Sequence, residues 1–171
     1  MSQQVILVDE QDNAIGEMEK MEAHSTGTLH RAFSVFIFNS KGEMLLQRRA
    51  ASKYHSAGLW TNACCSHPSP GEETIHSAEK RLKEELGFTT GLIKVFDFVY
   101  EAHFQNGLIE HEFDHVYKGI YDGPLTINKD EVDEYSFESL QEIQISLQSQ
   151  PTKYTEWFRI AFPRIVEAIG Q

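Results

Sequence analysis

The chain has 171 residues and a formal net charge of −11, with 40% hydrophobic and 24% charged residues. That length supports one domain with a sizeable core, and the acidic balance argues against general binding to nucleic acid or to an anionic membrane. No stretch approaches the roughly 20 apolar residues of a membrane-spanning helix, and the start MSQQVILVDE lacks the basic and apolar regions of a signal peptide. The cysteines, Cys64 and Cys65, are neighbours. Adjacent residues rarely bridge, so reduced thiols and a cytoplasmic protein are expected.

Residues 5–8 read as a short strand and 14–19 as its partner across a turn. The run 31–38, RAFSVFIF, is aromatic and β-branched; a turn at 39–42 and then EMLLQ at 43–47 make a hairpin signal. The period then changes. Ile75, Ala78, Leu82 and Leu86 recur at helical spacing, and Gly87 is a natural stop. Residues 92–102 and 110–121 read as strands around a loop at 105–107, and a last strand near 132–136 precedes helical stretches at 140–148 and 152–169. Hairpins outnumber βαβ units. The fold class is therefore α+β, a mixed or antiparallel sheet covered by helices, in a single domain over 1–171.

Three carboxylates stand out first. Glu84 and Glu85 are adjacent, Glu72 lies at the helix approach, and together they can collect a hard cation such as Mg²⁺. Arg81 lies one turn before Glu85, so in isolation the pattern reads most simply as a solvated acidic face with an i,i+4 ion pair. The run is not isolated, however. It resembles a Nudix box, G-x5-E-x7-R-E-U-x-E-E-x-G-U: Glu72, Leu82, Glu84, Glu85, Gly87 and Phe88 match, while Ser66, Lys80 and Arg81 replace the glycine, the arginine and the first glutamate. Arg81 removes one metal-binding carboxylate from the hydrolase signature, which suggests a Nudix fold that carries another reaction.

The segment GLWTNACCSHP at 58–68 is similar to the W-T-N-x-x-C-[GS]-H-P motif of type I isopentenyl-diphosphate isomerases, which have a Nudix fold. Further matches in the same order are Glu19-Lys20 and His24, His30-Arg-Ala-Phe33, Arg48-Arg49 and Lys53, Tyr100, Glu110-His-Glu112 and Trp157. The resemblance covers nearly the whole chain and implies site roles residue by residue. Cys65 and Glu112 would be catalytic. His24, His30, His67, Glu110 and Glu112 would form a first metal site, and Glu85 would help bind a Mg²⁺ ion at the substrate diphosphate. Lys20, Arg49, Lys53 and Arg81 would hold the diphosphate, and Tyr100 and Trp157 would lie near the five-carbon chain. The implied partner is a small isoprenoid diphosphate.

The chemistry of these residue types agrees. Moving a double bond requires adding a proton at one carbon and removing one from another, so a thiol and a carboxylate suit the task in a site that excludes water. The π-face of Trp157 could stabilise the intermediate carbocation by roughly 0.5–2 kcal/mol. The alternation Glu110-His111-Glu112 places both carboxylates on one face of a strand, as two ligands of one metal require. Three histidines and two carboxylates suit Mn²⁺ or Zn²⁺ in an octahedral-type site. His24 and His30 are separated by only five residues, 25–29, and Gly27 would let that loop turn tightly. A lone histidine is more often a surface or core residue than a ligand, and His55, His76, His103, His111 and His115 are read that way. Two other functions compete: a Nudix pyrophosphohydrolase acting on a nucleoside or isoprenoid diphosphate, supported by Glu72, Glu84 and Glu85, and a non-catalytic diphosphate sensor.

Overall fold

Strands β1 (Gln4–Val8) and β2 (Ala14–Glu19), helix α1 (Lys20–Thr26) and strands β3 (His30–Phe38) and β4 (Met44–Arg49) open the chain. Two short strands, β5 (Trp60–Thr61) and β6 (Cys64–Ser66), precede helix α2 (Thr74–Leu86). Strands β7 (Ile93–His103), β8 (Ile109–Ile120) and β9 (Val132–Glu138) follow, then helices α3 (Leu140–Ser149) and α4 (Glu156–Ile169). The computed structural model describes residues 3–53 and 55–170; residues 1, 2, 54 and 171, and with them the two ends of the expected 1–171 domain, lie outside the described residues.

β3 organises the sheet. It runs parallel to β8 from His30↔Glu112 to Phe38↔Ile120, and antiparallel to β6 through Phe33↔Ser66, Ser34↔Cys65 and Val35↔Cys64. β7 pairs antiparallel with β8, β4 pairs with β9 and β5, and β1 pairs with β2. The sheet is mixed, as the sequence suggests. The expected hairpin is a different matter. β3 and β4 share their turn but meet only at Phe38↔Met44, because β3 commits its bonds to β8 and β6 while β4 commits its own to β9 and β5.

Both sheet faces are covered, which explains why β3 is a continuous apolar run rather than an alternating one. Val35 and Ile37 face α2, whose Ala78, Leu82 and Leu86 recur at helical spacing and form one core with Cys64 and Leu45. Phe36 and Phe38 face the opposite way, toward Trp157, Phe158, Ala161, Phe162 and Ile165 of α4. Leu82 is fully buried, and its truncation to alanine would cost about 2–5 kcal/mol. α2 ends where expected, at Gly87, whose φ of 78° is readily adopted only by glycine.

Two local features depart from the sequence reading. The expected loop 25–29 is shorter than read, because α1 runs into it as far as Thr26, with the Glu19 side chain accepting from the Glu22 amide; Gly27 makes the tight turn at φ 71°. The expected helix 152–169 begins only at Glu156. Pro151–Lys153 form a 3₁₀ turn, Tyr154 is extended, and Thr155 caps α4 while its amide donates to the Trp60 carbonyl at 3.0 Å. That bond ties the start of α4, and so Trp157, to the strand that leads into Asn62 and Cys65.

Candidate active site

A cavity of about 350 Å³ contains Cys65 and Glu112, the cations Lys20, Arg49, Lys53 and Arg81, and the aromatic rings of Tyr100 and Trp157 in its wall. His67 and Glu110 also reach it, whereas His24, His30 and Glu85 are not part of the wall.

The histidines converge from three elements. His30 opens β3 directly opposite Glu112 of β8, His24 comes from the last turn of α1, and His67 follows β6. His24 Nδ1 lies 2.8 Å from the Lys20 carbonyl, and His30 Nδ1 lies 2.8 Å from the Thr28 carbonyl. A carbonyl only accepts, so both Nδ1 atoms carry the proton and both Nε2 atoms turn inward. His30 Nε2 stands 3.2 Å and His67 Nε2 2.7 Å from the same Glu112 Oε2. One ligand atom from each of His24, His30, His67 and Glu112 lies within 4.8 Å of the others, and all four residues are buried.

Charge in this cluster is coupled. Burial would push the Glu112 carboxyl up, but the charges and hydrogen bonds of His67 and His30 hold it well below the usual carboxylate range. Burial opposes charge on His30, yet the hydrogen bond and charge of Glu112 outweigh it and raise that imidazole. Burial lowers His67, and lowers His24 to about 4, so His24 is neutral at ordinary pH. Because His30 Nδ1 already carries a proton, its Nε2 lone pair faces the ionised Glu112 oxygen unless a cation, either a proton or a metal, lies between them. The donor set of three imidazoles and a carboxylate fits a borderline divalent ion.

Tyr100 links the two carboxylates of β8. Its hydroxyl lies 2.7 Å from Glu110 Oε1 and 2.6 Å from Glu112 Oε1, so a single phenolic proton is shared between them. The sequence reading placed Tyr100 beside the carbon chain of a substrate. Its hydroxyl engages the two acids. The second Glu110 oxygen faces His55, with Oε2 3.1 Å from Nε2. The five expected ligands, joined by His55, therefore fall into two overlapping groups: His24, His30, His67 and Glu112, and then His24, His55 and Glu110. His55, read as an ordinary surface or core histidine, is buried in the second group. It lies in irregular chain between β4 and β5, where no periodicity or motif marks it. The others match their reading: His76 and His103 are exposed, His111 Nδ1 is 3.1 Å from the Gly27 carbonyl, and His115 faces Asp12 at 2.9 Å.

The two cysteines point to opposite faces of β6. Cys64 is fully buried with Leu82 and Leu86. Cys65 lies on the cavity side, its Sγ 3.2 Å from Asn62 Oδ1 and 3.4 Å from Ser34 Oγ. Burial, then the nearby Asp114 carboxyl, pushes the Cys65 thiol far up, so it stays protonated. Ser34 donates to Asp114 Oδ2 at 2.7 Å, and burial holds Asp114 well above the usual carboxylate range. This Asp114–Ser34–Cys65 line carries no signature in the sequence. Asn62 is itself fixed, its amide donating to the carbonyls of Val35 and Cys64.

The four expected basic residues all line the same cavity. Burial, then repulsion from Lys53 and Arg81, lowers the Lys20 ammonium, which places these charges close together. Lys53 and Arg81 meet on Glu131 at 2.5 and 2.9 Å. The Arg49 guanidinium lies 5.1 Å from the Trp157 ring centre, so one face of that ring already holds a cation. Glu85 stands apart from the histidine cluster. Arg81 Nε lies 2.7 Å from its Oε2, and Gln47 donates to its Oε1 at 3.0 Å. It is a buried carboxylate neutralised by an arginine.

The Nudix domain family model matches residues 28–158. Over 162 residues the chain is 51% identical to the isopentenyl-diphosphate Delta-isomerase of Pectobacterium atrosepticum, covering 95% of this chain and 90% of that one. It is 49% identical to isopentenyl-diphosphate Delta-isomerase 2 of Aromatoleum aromaticum, over 97% of this chain and 88% of the relative. The chain belongs to the isopentenyl-diphosphate Delta-isomerase family, with a Nudix domain. Solved Nudix-like structures agree on the fold alone. A protein of Deinococcus radiodurans superposes with a TM-score of 0.79 at 17% identity, covering 95% of this chain and 98% of that one. The MutT protein of Methanosarcina mazei gives 0.69 at 23% identity, covering 84% and 96%. The α+β Nudix fold and the isomerase family are thus those expected from the 58–68 segment and the altered box. A Nudix domain with a buried His/Glu group is consistent with use of a divalent metal.

Proposed function

We propose that this isopentenyl-diphosphate Delta-isomerase family member, acting as one domain, interconverts isopentenyl and dimethylallyl diphosphate by protonation and deprotonation, with Cys65 and Glu112 as the proton-transfer groups. The observation that carries the reading is that a half-buried thiol and a carboxylate share one cavity with a cluster of cations.

The reaction adds a proton to the terminal alkene carbon and removes one from the carbon next to the diphosphate-bearing carbon. One group must hold a proton and the other must lack one. Burial favours the protonated Cys65 thiol, and His67 and His30 favour the ionised Glu112 carboxylate, so in this reading the thiol supplies the new C–H bond, the carboxylate takes the proton lost, and the reverse reaction exchanges the roles. Tyr100 orients Glu112 through its hydroxyl. Ser34 and Asn62 hold the Cys65 sulfur. Trp157 screens the site from water and sets an aromatic ring in the cavity wall for the carbon chain. Lys20, Arg49, Lys53 and Arg81 bind the diphosphate, which lets an acidic chain hold an anion. A divalent ion, Mn²⁺ or Zn²⁺, held by His24, His30, His67, Glu112 and Glu110 would supply positive charge that fixes Glu112 and tunes its basicity. Glu85 is the proposed ligand for Mg²⁺ accompanying the diphosphate, a role that requires Arg81 to release its oxygen. No helix of the described residues is long and apolar enough to cross a membrane, and the two free thiols support the proposed residence in the cytoplasm.

Incubation with isopentenyl diphosphate, Mn²⁺ and Mg²⁺ tests this reading. Dimethylallyl diphosphate should appear without phosphate release. Release of phosphate or pyrophosphate without the isomer would instead establish a hydrolase.

A further inference from the structure

Glu110 and His55 are buried beside the four-residue histidine cluster, and their geometry is as constrained as that of the cluster itself. The His55 ring lies flat on Phe104, with centroids 4.6 Å apart and planes 8° from parallel, and meets Trp157 edge-on at 5.7 Å. Its Nδ1 lies 3.2 Å from Ser56 Oγ, and its carbonyl accepts from Arg49 at 3.1 Å. Ser56 adopts φ 54°, a left-handed conformation uncommon for a non-glycine residue, and so turns the chain sharply after His55. The ring is thus held with Nε2 3.1 Å from Glu110 Oε2, close but off the line of a hydrogen bond, while Tyr100 fixes the other Glu110 oxygen.

His24, His55 and Glu110 also have ligand atoms within 4.8 Å of one another. They do not make a second, independent site. His24 belongs to both groups, its Nδ1 is engaged by the Lys20 carbonyl, and the remaining nitrogen has one lone pair for one ion. We propose that His55 is a positioning residue of a single metal centre: with the metal bound, its Nε2–H, already 3.1 Å from Glu110 Oε2, donates to that carboxylate and holds it beside His24, where it completes the ligand set. An oxygen that accepts from an N–H retains a lone pair for a metal, and outer hydrogen bonds of this kind set the orientation of ligating groups. The inference rests on the proposed reading of the His/Glu cluster as a metal centre.

Mn²⁺ affinity of the full chain, measured by competition with a fluorescent chelator and by the electron paramagnetic resonance spectrum of bound Mn²⁺, tests it. His55→Phe keeps the stack on Phe104 and removes the donor; His55→Gln keeps an N–H at similar reach. The expected result is a 10–100-fold weaker Mn²⁺ affinity and an altered spectrum in His55→Phe, with His55→Gln within a few-fold of the wild type. Glu110→Gln should weaken binding comparably, and adding His55→Phe to it should weaken binding no further. Wild-type affinity in His55→Phe would overturn the proposal alone. So would a His55→Gln variant as weak as His55→Phe, or additive losses in the double variant. A wild-type chain that binds no Mn²⁺ would overturn the metal reading and the proposal with it.

Discussion

Serine substitutions at the two adjacent cysteines should give opposite phenotypes. Cys64 has no exposed surface and packs among Leu82, Leu86, Ala78 and Val35. A hydroxyl there enters the apolar core under α2, and burying it without a partner costs roughly 1–3 kcal/mol. For a chain of this size, about 2–4 °C of melting temperature is lost per kcal/mol, so Cys64→Ser should melt roughly 2–12 °C lower. Its turnover per folded molecule should stay near that of the wild type. At position 65 a serine hydroxyl finds acceptors already in place, Asn62 Oδ1 and Ser34 Oγ at 3.2 and 3.4 Å from the present sulfur. Cys65→Ser should therefore fold with nearly wild-type stability. An alcohol is a far weaker acid than a thiol, and a general acid–base group contributes about 10²–10⁴-fold, so kcat should fall by at least that range. Thermal denaturation combined with a dimethylallyl diphosphate assay reads both effects. A fully active Cys65→Ser, or an inactive but stable Cys64→Ser, would refute the assignment of the cavity-facing thiol.

Chelation should abolish activity, with Mn²⁺ or Zn²⁺ plus Mg²⁺ restoring it; full activity in chain shown to be metal-stripped would contradict the proposed centre. Metal affinity should fall as pH drops, because the ion must displace a proton from His30, whose pKa is raised, whereas His24, lowered to about 4, adds little competition above pH 5. The loss should set in above the ordinary histidine value of about 6.5 and approach tenfold per pH unit for each proton displaced, as a chelator-competition titration would show. Arg81→Gln leaves buried Glu85 without its cation. We expect a stability loss of roughly 2–3 kcal/mol, less than a fully buried pair because the Arg81 side chain is 26% exposed, together with a raised KM for the diphosphate. Tyr100→Phe should keep the fold and lower kcat by about tenfold or more with little change in KM, because the lost hydroxyl orients Glu112 and does not contact the diphosphate.

Much of the fold is legible in the residues because the signals are local. α2 has helical periodicity and a glycine stop, and its bounds are those read from the chain. The parallel register of β3 on β8 is not legible: it joins residues about 80 apart, and a strand buried on both faces shows no alternation to reveal its partner. α1 is too short for a clear period, and its cap is a glutamate rather than a typical capping residue. The site divides the same way. Cys65, His67, Glu110 and Glu112 sit in compact motifs, and the β3–β8 register brings His30 to Glu112. His55 and Asp114 owe their placement to neighbours distant in sequence, Glu110 for the first and Ser34 for the second. Tyr100 was found by its motif, but only the pairing Tyr100↔Glu112 shows what its hydroxyl touches.

The central claim, proton addition and removal by Cys65 and Glu112, is tested most directly by proton NMR of isopentenyl diphosphate with the metal-loaded protein in D₂O. The account predicts dimethylallyl diphosphate carrying deuterium in a methyl group, with no phosphate released, and neither product nor deuterium uptake on the same timescale with Cys65→Ser. Product formed without any solvent deuterium, or an unchanged rate in Cys65→Ser, would contradict it.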